Sequence, residues 1–507
     1  MSGNILTLLV AVPAVAALLL AFVPRENVPV FRLGAAVGTV ATFLVSIVVM
    51  ADFAVGTADM QMIESKSWIP EWGITYILGL DGISVLLVLL TTFIFPLVVL
   101  ASWEHTDRAK GFFIALLVLE AALIGVFMAL DLVLFYLFFE IMLVPMYALI
   151  GVWGGANRRY ASVKFFLYTL VGGLLMLIGI LYLSFQAGGS FAYADVLAVD
   201  LTRGEQIWLF WAFFLAFAIK LPLFPLHTWL PDAHTEAPTV GSVVLAAVML
   251  KIGGYGFLRF NLPLFPEATD LYVGPILAAG VIGVLYGALV AMVQSDIKKL
   301  VAYSSVAHLG FVAIGIFALQ PTAASGSVVQ MVNHGITTGA LFLLIGFMYE
   351  RTHSREIAAY SGLMKATPIF GGLFLLTTMS SIALPGLNGF VGEFPILMGT
   401  YQTVPWAAIT AAFGVIFAAL YLLWAYQRMF HGPIGGHATT MTDLNTREIA
   451  VMAPLVVLML AIGLYPKPLY DIVNPSVEAV IQQVDADLAA ADAPATEAET
   501  ALEGEDQ

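Results

Sequence analysis

The sequence predicts an all-α polytopic membrane protein with about fourteen transmembrane helices. Of its 507 residues, 61% are hydrophobic and only 11% are charged, and the mean hydropathy is +0.95. Soluble domains carry about 25% charged residues, whereas about 20 consecutive apolar residues are enough to cross a bilayer. Fourteen segments have this length and composition: 4–23, 31–52, 82–102, 111–129, 131–152, 162–184, 206–230, 239–258, 272–292, 300–318, 328–349, 368–399, 405–427 and 448–465.

Three stretches differ from the others in composition. Arg25 follows the first span and no basic segment precedes it, so we expect a retained helix and not a cleaved signal. Residues 61–80 are too polar to span a membrane and predict a folded or interfacial outer loop. Residues 471–507 hold ten acidic and no basic residues in an Ala-rich sequence of low complexity, which predicts a disordered tail.

Two pairs of similar segments indicate an internal repeat. Residues 219–222 (IKLP) are similar to 382–385 (IALP), 163 positions later, and 175–182 (LMLIGILY) to 342–349 (FLLIGFMY), 167 positions later. Spans 4–8 and 9–13 are therefore predicted to be two copies of a five-helix unit, and because five is odd the second copy is inverted in the membrane. The expected divisions are 1–110 (first three helices), 111–260 (first repeat), 270–430 (second repeat), 447–470 (last helix) and 471–507 (tail).

Each repeat contains one helix that the sequence interrupts at membrane depth. Pro222 and Pro225 interrupt the first repeat, and Pro385, Gly386 and Gly389 lie at the equivalent place in the second. Proline removes a helical hydrogen bond and clashes with the carbonyl group four residues earlier. Unwound backbone in a membrane is tolerated where it lines a water-filled cavity or is buried in protein. The breaks therefore predict free carbonyl groups and water beside a functional site; the alternative is a packing kink.

Basic residues are distributed unequally between the two faces of the membrane. Loops after even-numbered spans and the tail hold four, whereas loops after odd-numbered spans hold thirteen. The positive-inside rule places the richer loops in the cytoplasm and both termini on the periplasmic side of a bacterial inner membrane. The thirteen are Arg25, Arg32, Arg108, Lys110, Arg158, Arg159, Lys298, Lys299, Arg351, Arg355, Lys365, Arg428 and Arg447.

Apart from those near span ends, seven ionisable side chains lie inside the predicted spans, where a charge costs about 2.5–3.5 kcal/mol and usually marks an ion or proton path. They are Glu120, Glu140, Lys220, Lys251, His308, His334 and Glu393. A carboxylate near a buried lysine favours the charged form of the lysine. If the distance between the two groups changes, the lysine can take up and release a proton. The last six side chains therefore predict a proton relay. The alternatives are helix packing for Glu120, satisfied core histidines for His308 and His334, and a helix cap for Glu393.

Other chemistries have little support. The absence of cysteine excludes disulfides, thiolate-bound zinc and any iron–sulfur cluster that this chain would hold through cysteine. Four residues of metal-ligating type follow the first break, but they lack the HExxH spacing and prolines interrupt their helix. No metal, cofactor or nucleic-acid site is therefore predicted. The four residues are His227, Asp232, His234 and Glu236.

Two long stretches resemble the antiporter-like subunits of respiratory complex I: PLHTWLPDAHTEAPTVGSVVLAAVMLK at 225–251 and DIKKLVAYSSVAHLG at 296–310. The fourteen-helix plan extends this resemblance to nearly the whole chain. The same fold occurs in Mrp-type Na⁺/H⁺ antiporters and in membrane-bound hydrogenases. In LPGLNGFVGEF (384–394) the M-type branch, equivalent to mitochondrial subunit 4, has glutamate where the L-type, N-type and Mrp relatives have lysine. Glu393 therefore favours the M-type branch of the bacterial enzyme.

The resemblance implies a proton-translocating subunit of NADH:quinone oxidoreductase. It implies sibling membrane subunits on both flanks and a distant peripheral arm where NADH is oxidised, with FMN, iron–sulfur clusters and quinone in partner subunits. The matching residues are Glu140 and Lys220 for the family's Glu–Lys pair, Lys251 for the central lysine, His308 and His334 for histidines of the polar axis, and Glu393 for the terminal proton-exchange residue.

Two other functions stay open at this stage. The Mrp relatives share the fold, so the alternative is a cation/proton antiporter subunit driven by ion gradients instead of electrons. A third possibility is a scaffold that conducts no protons and only holds its neighbours together. The seven buried ionisable residues argue against such a scaffold, because each of them is costly to insert.

Overall fold

The computed structural model describes residues 3–491, and most of them are helical. Within this range eleven helices are long and apolar enough to cross a membrane. The shorter helix Ile5–Ala21 and two interrupted helices, at 203–236 and 368–403, complete fourteen spans. The predicted fold class is confirmed. The spans are α1 (Ile5–Ala21), α2 (Val28–Asp52), α3 (Gly82–Ala101), α4 (Ala109–Met128), α5 with α6 (Leu132–Ile141 and Leu143–Trp153), α7 (Arg158–Gln186), α9 with α10 (Arg203–Lys220 and Trp229–Glu236), α11 (Thr239–Leu264), α12 (Pro266–Met292), α13 (Ile297–Phe317), α14 (Pro321–Thr352), α16 with α17 (Pro368–Ser381 and Asn388–Thr403), α18 (Pro405–Phe430) and α19 (Thr446–Leu464).

The remaining elements are short, apart from one helix at the end of the described chain. Residues 61–80 fold as an antiparallel hairpin, as expected for a structured loop that does not span. Glu64 in this hairpin accepts hydrogen bonds from the backbone N–H groups of Leu6 (2.7 Å) and Thr7 (3.0 Å), which fixes the start of α1. The short elements are β1 (Gln61–Ile69), β2 (Ile74–Leu80), α8 (Tyr193–Leu197), β3 (Tyr360–Ser361), α15 (Leu363–Ala366), β4 (Gly435–Gly436) and the last helix, α20 (Lys467–Ala491).

The first interrupted helix stops inside the buried part of the protein. α9 ends at Lys220, and Pro222 and Pro225 lie in the segment before a 3₁₀ turn leads into α10. The indole N–H of Trp229 donates to the carbonyl oxygen of Ile219 at 2.9 Å. This bond satisfies one of the carbonyl groups that the end of a helix leaves free, so the break is held in a defined shape.

The second interrupted helix has the same organisation with different residues. Between α16 and α17 the chain leaves the helical conformation over residues 382–387, which include Pro385. Gly386 has φ +92°, a conformation that favours glycine. Gly389, the second residue of α17, lies so close to α16 that a Cβ there would be 2.0 Å from the carbonyl oxygen of Ser380.

The two interrupted helices occupy equivalent places in two five-span units. The first unit runs from α4 to α11 and the second from α12 to α18, and in each the fourth span is the broken one. Because each unit has an odd number of spans, the second begins on the opposite face from the first. We call the face that carries the loops after odd-numbered spans the basic face, because it holds most of the basic residues.

The prediction of a disordered tail from residue 471 is wrong for residues 471–491, which belong to α20. This helix packs against α3, α12 and α14. Its apolar residues recur every three to four positions and are buried, and Ser476 accepts a hydrogen bond from the N–H of Gly82 at 2.9 Å. Residues 492–507 lie outside the described part of the chain.

The most deeply buried spans are the three that carry half of the predicted relay residues, α11, α13 and α14. In the most apolar 18 residues of each helix, all residues of α11 and α14 and 94% of those of α13 are buried. In α2 and α19 only 33% of these residues are buried. Charged and polar residues are seldom fully buried without a partner. Lys251, His308 and His334 lie on these three helices, so each of them is expected to have a polar partner.

Candidate functional site

Lys220 is the last residue of α9, and its side chain is buried with 1% of its surface exposed. The end of a helix carries partial negative charge, which stabilises a cation by about 0.3–1 kcal/mol. Within the described residues its Nζ has no hydrogen-bond partner, and it lies 4.9 Å from the ring centroid of Phe139 and 5.6 Å from that of Phe165. Aromatic faces attract an ammonium group but cannot take its proton. The pocket therefore accommodates the charged lysine without a carboxylate in contact.

Glu140 faces this pocket from α5, just before the discontinuity at Met142 that separates α5 from α6. Its Oε1 is buried without a hydrogen-bond partner and lies against Gly173 of α7, where a Cβ would be only 1.9 Å away. Glu140 and Lys220 are close enough to interact electrostatically. No ion pair within 4.0 Å joins them, however. The transfer of a proton between them requires a water molecule or a movement of either side chain.

Lys251 lies on α11 between two π-helical turns, Leu245–Met249 and Phe257–Asn261. Turns of this kind are rare and often occur at functional sites, because they displace carbonyl groups from the regular helical pattern. The Nζ of Lys251 donates to the carbonyl oxygen of Ala246 and lies 2.7 Å from Nδ1 of His334 on α14. Lys251 is completely buried. It is therefore in direct hydrogen-bond contact with the next member of the predicted relay.

The chain of contacts continues from His334 to the second interrupted helix. The rings of His334 and His308 are 5.9 Å apart between centroids, and Nδ1 of His308 lies 2.6 Å from Oε1 of Glu393 on α17. The side-chain amide of Gln330 donates to the same oxygen at 2.8 Å. Glu393 is 3% exposed. Both of its bonds come from neighbouring helices, so the position of this carboxylate is fixed by α13 and α14.

A small polar cavity separates the two histidine rings. Its volume is about 10 Å³, which is close to the lower limit for one water molecule. Polar side chains from three helices surround it, and Ser381 Oγ lies 3.5 Å from Nε2 of His308. A water molecule at this place would connect the imidazoles. The lining residues are His308, Gln330, Asn333, His334, Thr337, Thr338, Ser380, Ser381 and Gly389.

Hydrogen bonds hold the break between α16 and α17 against α14. The amide of Asn333 donates to the carbonyl oxygen of Asn388 at 2.6 Å, and Thr337 Oγ1 lies 2.9 Å from Ser380 Oγ. Asn388 is the first residue of α17, and its side-chain oxygen accepts from both Ser380 and Thr337. The two ends of the interrupted helix are therefore fastened to the span that carries His334.

The structure joins four of the six predicted relay residues and leaves two apart. Lys251 with His334 and His308 with Glu393 form two hydrogen-bonded pairs whose histidine rings are 5.9 Å apart, and we call these four residues the connected group. Glu140 and Lys220 have no hydrogen-bonded link to it within residues 3–491. α9 and α11 nevertheless pack closely, since a Cβ at Gly253 would lie 2.5 Å from the N of Leu221. The helices that carry the two lysines are thus in close contact near Gly253.

The four residues of metal-ligating type after the first break do not converge. Asp232 pairs with Lys164 at 2.7 Å, and Glu236 accepts from the backbone N–H of Asn157 at 2.9 Å. Between residues 3 and 491 no group of three or more histidine, aspartate or glutamate side chains could hold a metal ion. These residues therefore serve other contacts.

Sequence reasoning considered His234 only as a metal ligand. Its ring is fully buried against Phe342, 4.9 Å between centroids, and both ring nitrogens lack hydrogen-bond partners. Lys251 and Lys298 are both close enough to interact with it electrostatically. The residues Gln330 and Asn388 were also missed, because neutral amides carry no charge signal in an apolar sequence.

A cavity of about 470 Å³ opens on the basic face, and residues 235–240 form part of its wall. Thr235 and Lys298 lie at its wall, and Lys298 Nζ donates to the carbonyl oxygen of Ala237 at 2.5 Å. Burial lowers the pKa of the His105 imidazole, which lines the cavity from the loop after α3. The cavity brings the aqueous phase close to the C-terminal end of α10. Its other ionisable lining residues are Glu104, Glu236, Glu350 and Arg355.

Family comparisons agree with this architecture. The family described as "NADH:quinone oxidoreductase/Mrp antiporter, TM" matches residues 129–418, which include the five relay residues from Glu140 to His334 and also Glu393. The family described as "NADH-ubiquinone oxidoreductase chain 4, amino terminus" matches residues 30–126. The fold and the site thus define an antiporter-like membrane subunit of the class that NADH:quinone oxidoreductases share with Mrp antiporters.

Individual relatives narrow this class. NADH-quinone oxidoreductase subunit M of Rhodobacter capsulatus is 47% identical over 502 residues, which cover 96% of this chain and 98% of that protein. NADH-ubiquinone oxidoreductase chain 4 of Arabidopsis thaliana is 41% identical over 477 residues, with coverage of 94% and 96%. The chain belongs to the family of NADH-quinone oxidoreductase subunit M and NADH-ubiquinone oxidoreductase chain 4.

Solved structures show the same fold. A chain of respiratory complex I from Thermus thermophilus with bound NADH superposes with a TM-score of 0.87 at 34% identity, covering 94% of this chain and 99% of that one. A chain of the Mrp complex from Dietzia sp. DQ12-45-1b gives a TM-score of 0.83 at 20% identity, with coverage of 94% and 98%. The second likeness concerns the fold alone.

Proposed function

We propose that this chain relays protons across the membrane as a subunit of NADH:quinone oxidoreductase, through Glu140, Lys220, Lys251, His334, His308 and Glu393. The single observation that carries the proposal is the connected group at the centre of the bundle. Lys251 is 2.7 Å from His334, and His308 is 2.6 Å from Glu393. A lysine, two imidazoles and a carboxylate can each hold and release a proton, which an arginine in the same place could not do.

The Glu140–Lys220 pair works as the controlled step of this relay. Because the two side chains are not in contact, the proton affinity of Lys220 depends on how far Glu140 stands from it. Approach of the carboxylate stabilises the ammonium, and its withdrawal favours release of the proton towards Lys251. The aromatic pocket and the end of α9 keep Lys220 in place while Glu140 moves.

The cytoplasmic supply of protons comes through the cavity on the basic face. The excess of basic residues on that face supports a cytoplasmic location, with both termini on the periplasmic side of the bacterial inner membrane. The cavity brings water to the wall formed by Thr235 and Lys298, one residue from the buried His234. Glu393 is the outlet, since it is the last ionisable member of the connected group.

Redox chemistry belongs to partner subunits in this proposal. The chain has no cysteine with which to ligate an iron–sulfur cluster. FMN, iron–sulfur clusters and the quinone site are accordingly assigned to other subunits, with NADH oxidised in a distant peripheral arm. Other antiporter-like membrane subunits are proposed to flank this chain in the bilayer.

A purification tests the assignment to the enzyme. An affinity-tagged chain, solubilised in mild detergent from its native membranes, is expected to carry NADH:quinone oxidoreductase activity with it. The matched control is the same purification from cells in which the tag is attached to an unrelated inner-membrane protein. Recovery of the chain with antiporter subunits and no NADH oxidation would favour the Mrp alternative and overturn the proposal.

A further inference from the structure

Glu120 is a buried acid for which the relay described above has no use. It lies in the middle of α4 and is completely buried, and neither carboxylate oxygen has a hydrogen-bond partner within residues 3–491. An isolated carboxylate in an apolar interior is far more costly than a hydrogen-bonded or paired one. Glu120 is therefore stable at this place either in its protonated form or next to a positive charge.

The elements around α4 offer very few positive charges. α1, α2, α3, α5, α6, α11 and β2 pack against it. Arg32 lies at the basic-face end of α2, where it donates to the carbonyl oxygen of His105 at 3.4 Å. Arg259 is already paired with Asp81 at 2.5 Å. Lys251 is the remaining basic residue on the described elements that pack against α4. The ionisable side chains of all these elements are Arg32, Asp52, Tyr76, Tyr136, Glu140, Tyr147, Lys251, Tyr255 and Arg259.

A contact between α4 and α11 places Glu120 and Lys251 at similar depths. The rings of Phe127 and Tyr255 meet edge to face with centroids 5.4 Å apart, and the Tyr255 hydroxyl donates to the carbonyl oxygen of Phe127 at 3.3 Å. Glu120 precedes Phe127 by two helical turns and so lies on the same face of α4, whereas Lys251 precedes Tyr255 by about one turn. Both helices are even-numbered spans and run in the same direction. The two groups therefore lie on the same side of this contact, about one turn apart in depth.

Within residues 3–491, Lys251 has no negatively charged group among its hydrogen-bond partners. Its Nζ contacts a carbonyl oxygen and an imidazole, neither of which carries a negative charge. Lys220, by comparison, has Glu140 within electrostatic range. Lys251 is thus a buried base without a counter-charge, and Glu120 is a buried acid without a partner.

We propose that Glu120 is the proton partner of Lys251 and forms with it a second acid–base pair of this chain. In one state the Glu120 carboxyl and the Lys251 amine are both neutral. Transfer of the carboxyl proton to the amine through water leaves a carboxylate and an ammonium, and no other bond is formed or broken. When Lys251 passes its proton to His334, the next proton to arrive restores the Glu120 carboxyl. This inference rests on the relay proposed above and adds to it the positioning residue that controls when Lys251 is charged.

The test compares Glu120→Gln and Glu120→Asp with the parent in membranes that contain the assembled complex. We expect NADH-driven proton uptake to fall at least about tenfold in Glu120→Gln, since a positioned acid or base typically contributes about 100-fold or more. Glu120→Asp keeps the carboxyl group and should restore most of the activity with a displaced pH profile. In redox-induced infrared difference spectra, one protonated-carboxyl signal should be absent from Glu120→Gln and present in Glu120→Asp.

Two controls separate this inference from its alternatives. Glu64→Gln removes a buried carboxylate that is bound to backbone N–H groups at the start of α1, and it should leave pumping unchanged. Lys251→Ala tests the relay itself. Loss of pumping in Lys251→Ala with parental pumping and an unchanged infrared spectrum in Glu120→Gln would overturn the role of Glu120 alone. Parental pumping in Lys251→Ala would overturn the relay. If Glu120→Gln does not assemble, an unchanged pH profile and infrared spectrum in Glu120→Asp would overturn the inference.

Discussion

The two five-span units hold their ionisable residues in different ways. In the first unit Glu140 and Lys220 are an acid and a base within electrostatic range of each other. Neither has a hydrogen-bond partner for its buried polar atom within residues 3–491, and two aromatic rings lie near the lysine. In the second unit His308 and Glu393 are in direct contact, 2.6 Å apart, and the side-chain amide of Gln330 on α14 donates to Glu393. The Glu140–Lys220 pair is thus not hydrogen-bonded, whereas the His308–Glu393 pair is.

This difference indicates different tasks. A separated pair responds to small movements, because the Coulomb energy of two charges changes steeply with distance in a medium of low dielectric constant. In the second unit His308 and Glu393 can exchange a proton over a hydrogen bond that already exists, which needs little movement. The first unit is therefore suited to control a proton and the second to conduct it.

The position of each helix break explains how related units came to differ. Lys220 is the last residue of α9, before the break, whereas the aligned position in the second unit is Ala383, inside the break. The second unit instead has Glu393 in the second turn of α17, beyond the break. The basic group thus lies at the negative end of one half-helix, and the acidic group lies past the start of another.

Loss of the separated lysine is expected to have the largest effect. Lys220→Ala should reduce NADH-driven proton uptake at least about tenfold, because the relay loses a group that takes and gives a proton. Lys220→Arg should not restore it fully, since arginine stays charged. The measurement is proton uptake and quinone reduction in membranes, with complex abundance followed on a native gel. Normal pumping by Lys220→Ala would remove the first unit from the relay.

A change at Gly173 tests the separation itself. The added methyl group of Gly173→Ala would lie 1.9 Å from Oε1 of Glu140, so the carboxylate must move. We expect a several-fold loss of proton uptake with little change in complex abundance. Gly372→Ala, at a helical glycine with no atom within 4 Å of the added Cβ, is the matched control. Equal behaviour of the two variants would show that the position of Glu140 is unimportant.

Removal of the aromatic walls should have a smaller effect. Phe139→Leu and Phe165→Leu each remove one ring that faces Lys220, and a cation–π contact contributes about 0.5–2 kcal/mol. A few-fold decrease in the rate of coupled turnover is expected for each. The matched control is Phe166→Leu, at the position after Phe165 on α7. The Phe166 ring packs against Tyr147, so this change should have no effect on the rate of coupled turnover.

The smallest effect is expected in the connected group, at a residue that only lines the cavity. Ser381 Oγ is 3.5 Å from Nε2 of His308, which is long for a hydrogen bond. Ser381→Ala should therefore change proton uptake by less than about twofold, since water can replace the hydroxyl. A larger loss at normal abundance would mean that the serine itself carries the proton between the rings.

Much of the fold could be predicted from the sequence because membrane spans depend on local composition. The fourteen apolar segments, both interruptions and the folded loop at 61–80 are all signals within a few residues. The helix α20 was missed for a related reason. The acidic, Ala-rich composition suggested disorder, although Ile472, Val473, Val477, Ile481 and Val484 follow helical spacing and are buried.

The contacts within the site could not be predicted in the same way. His308 and Glu393 are 85 positions apart, and Lys251 and His334 are 83 apart, so only the packing of α11, α13, α14 and α17 brings them together. Charge in an apolar span identified all six residues as candidates, but it could not show which of them touch. Neutral partners such as Gln330 had no signal at all.

The central claim is that Glu393 exchanges a proton and does not merely cap α17. The most direct measurement is proton uptake driven by NADH in membranes that carry Glu393→Gln, compared with the parent at equal complex abundance. The amide keeps the size and most hydrogen bonds of the side chain but cannot be protonated and deprotonated. Proton uptake should fall at least about tenfold, while Glu393→Asp retains much of the activity. Parental pumping by Glu393→Gln would contradict the account, because the outlet would then lie elsewhere.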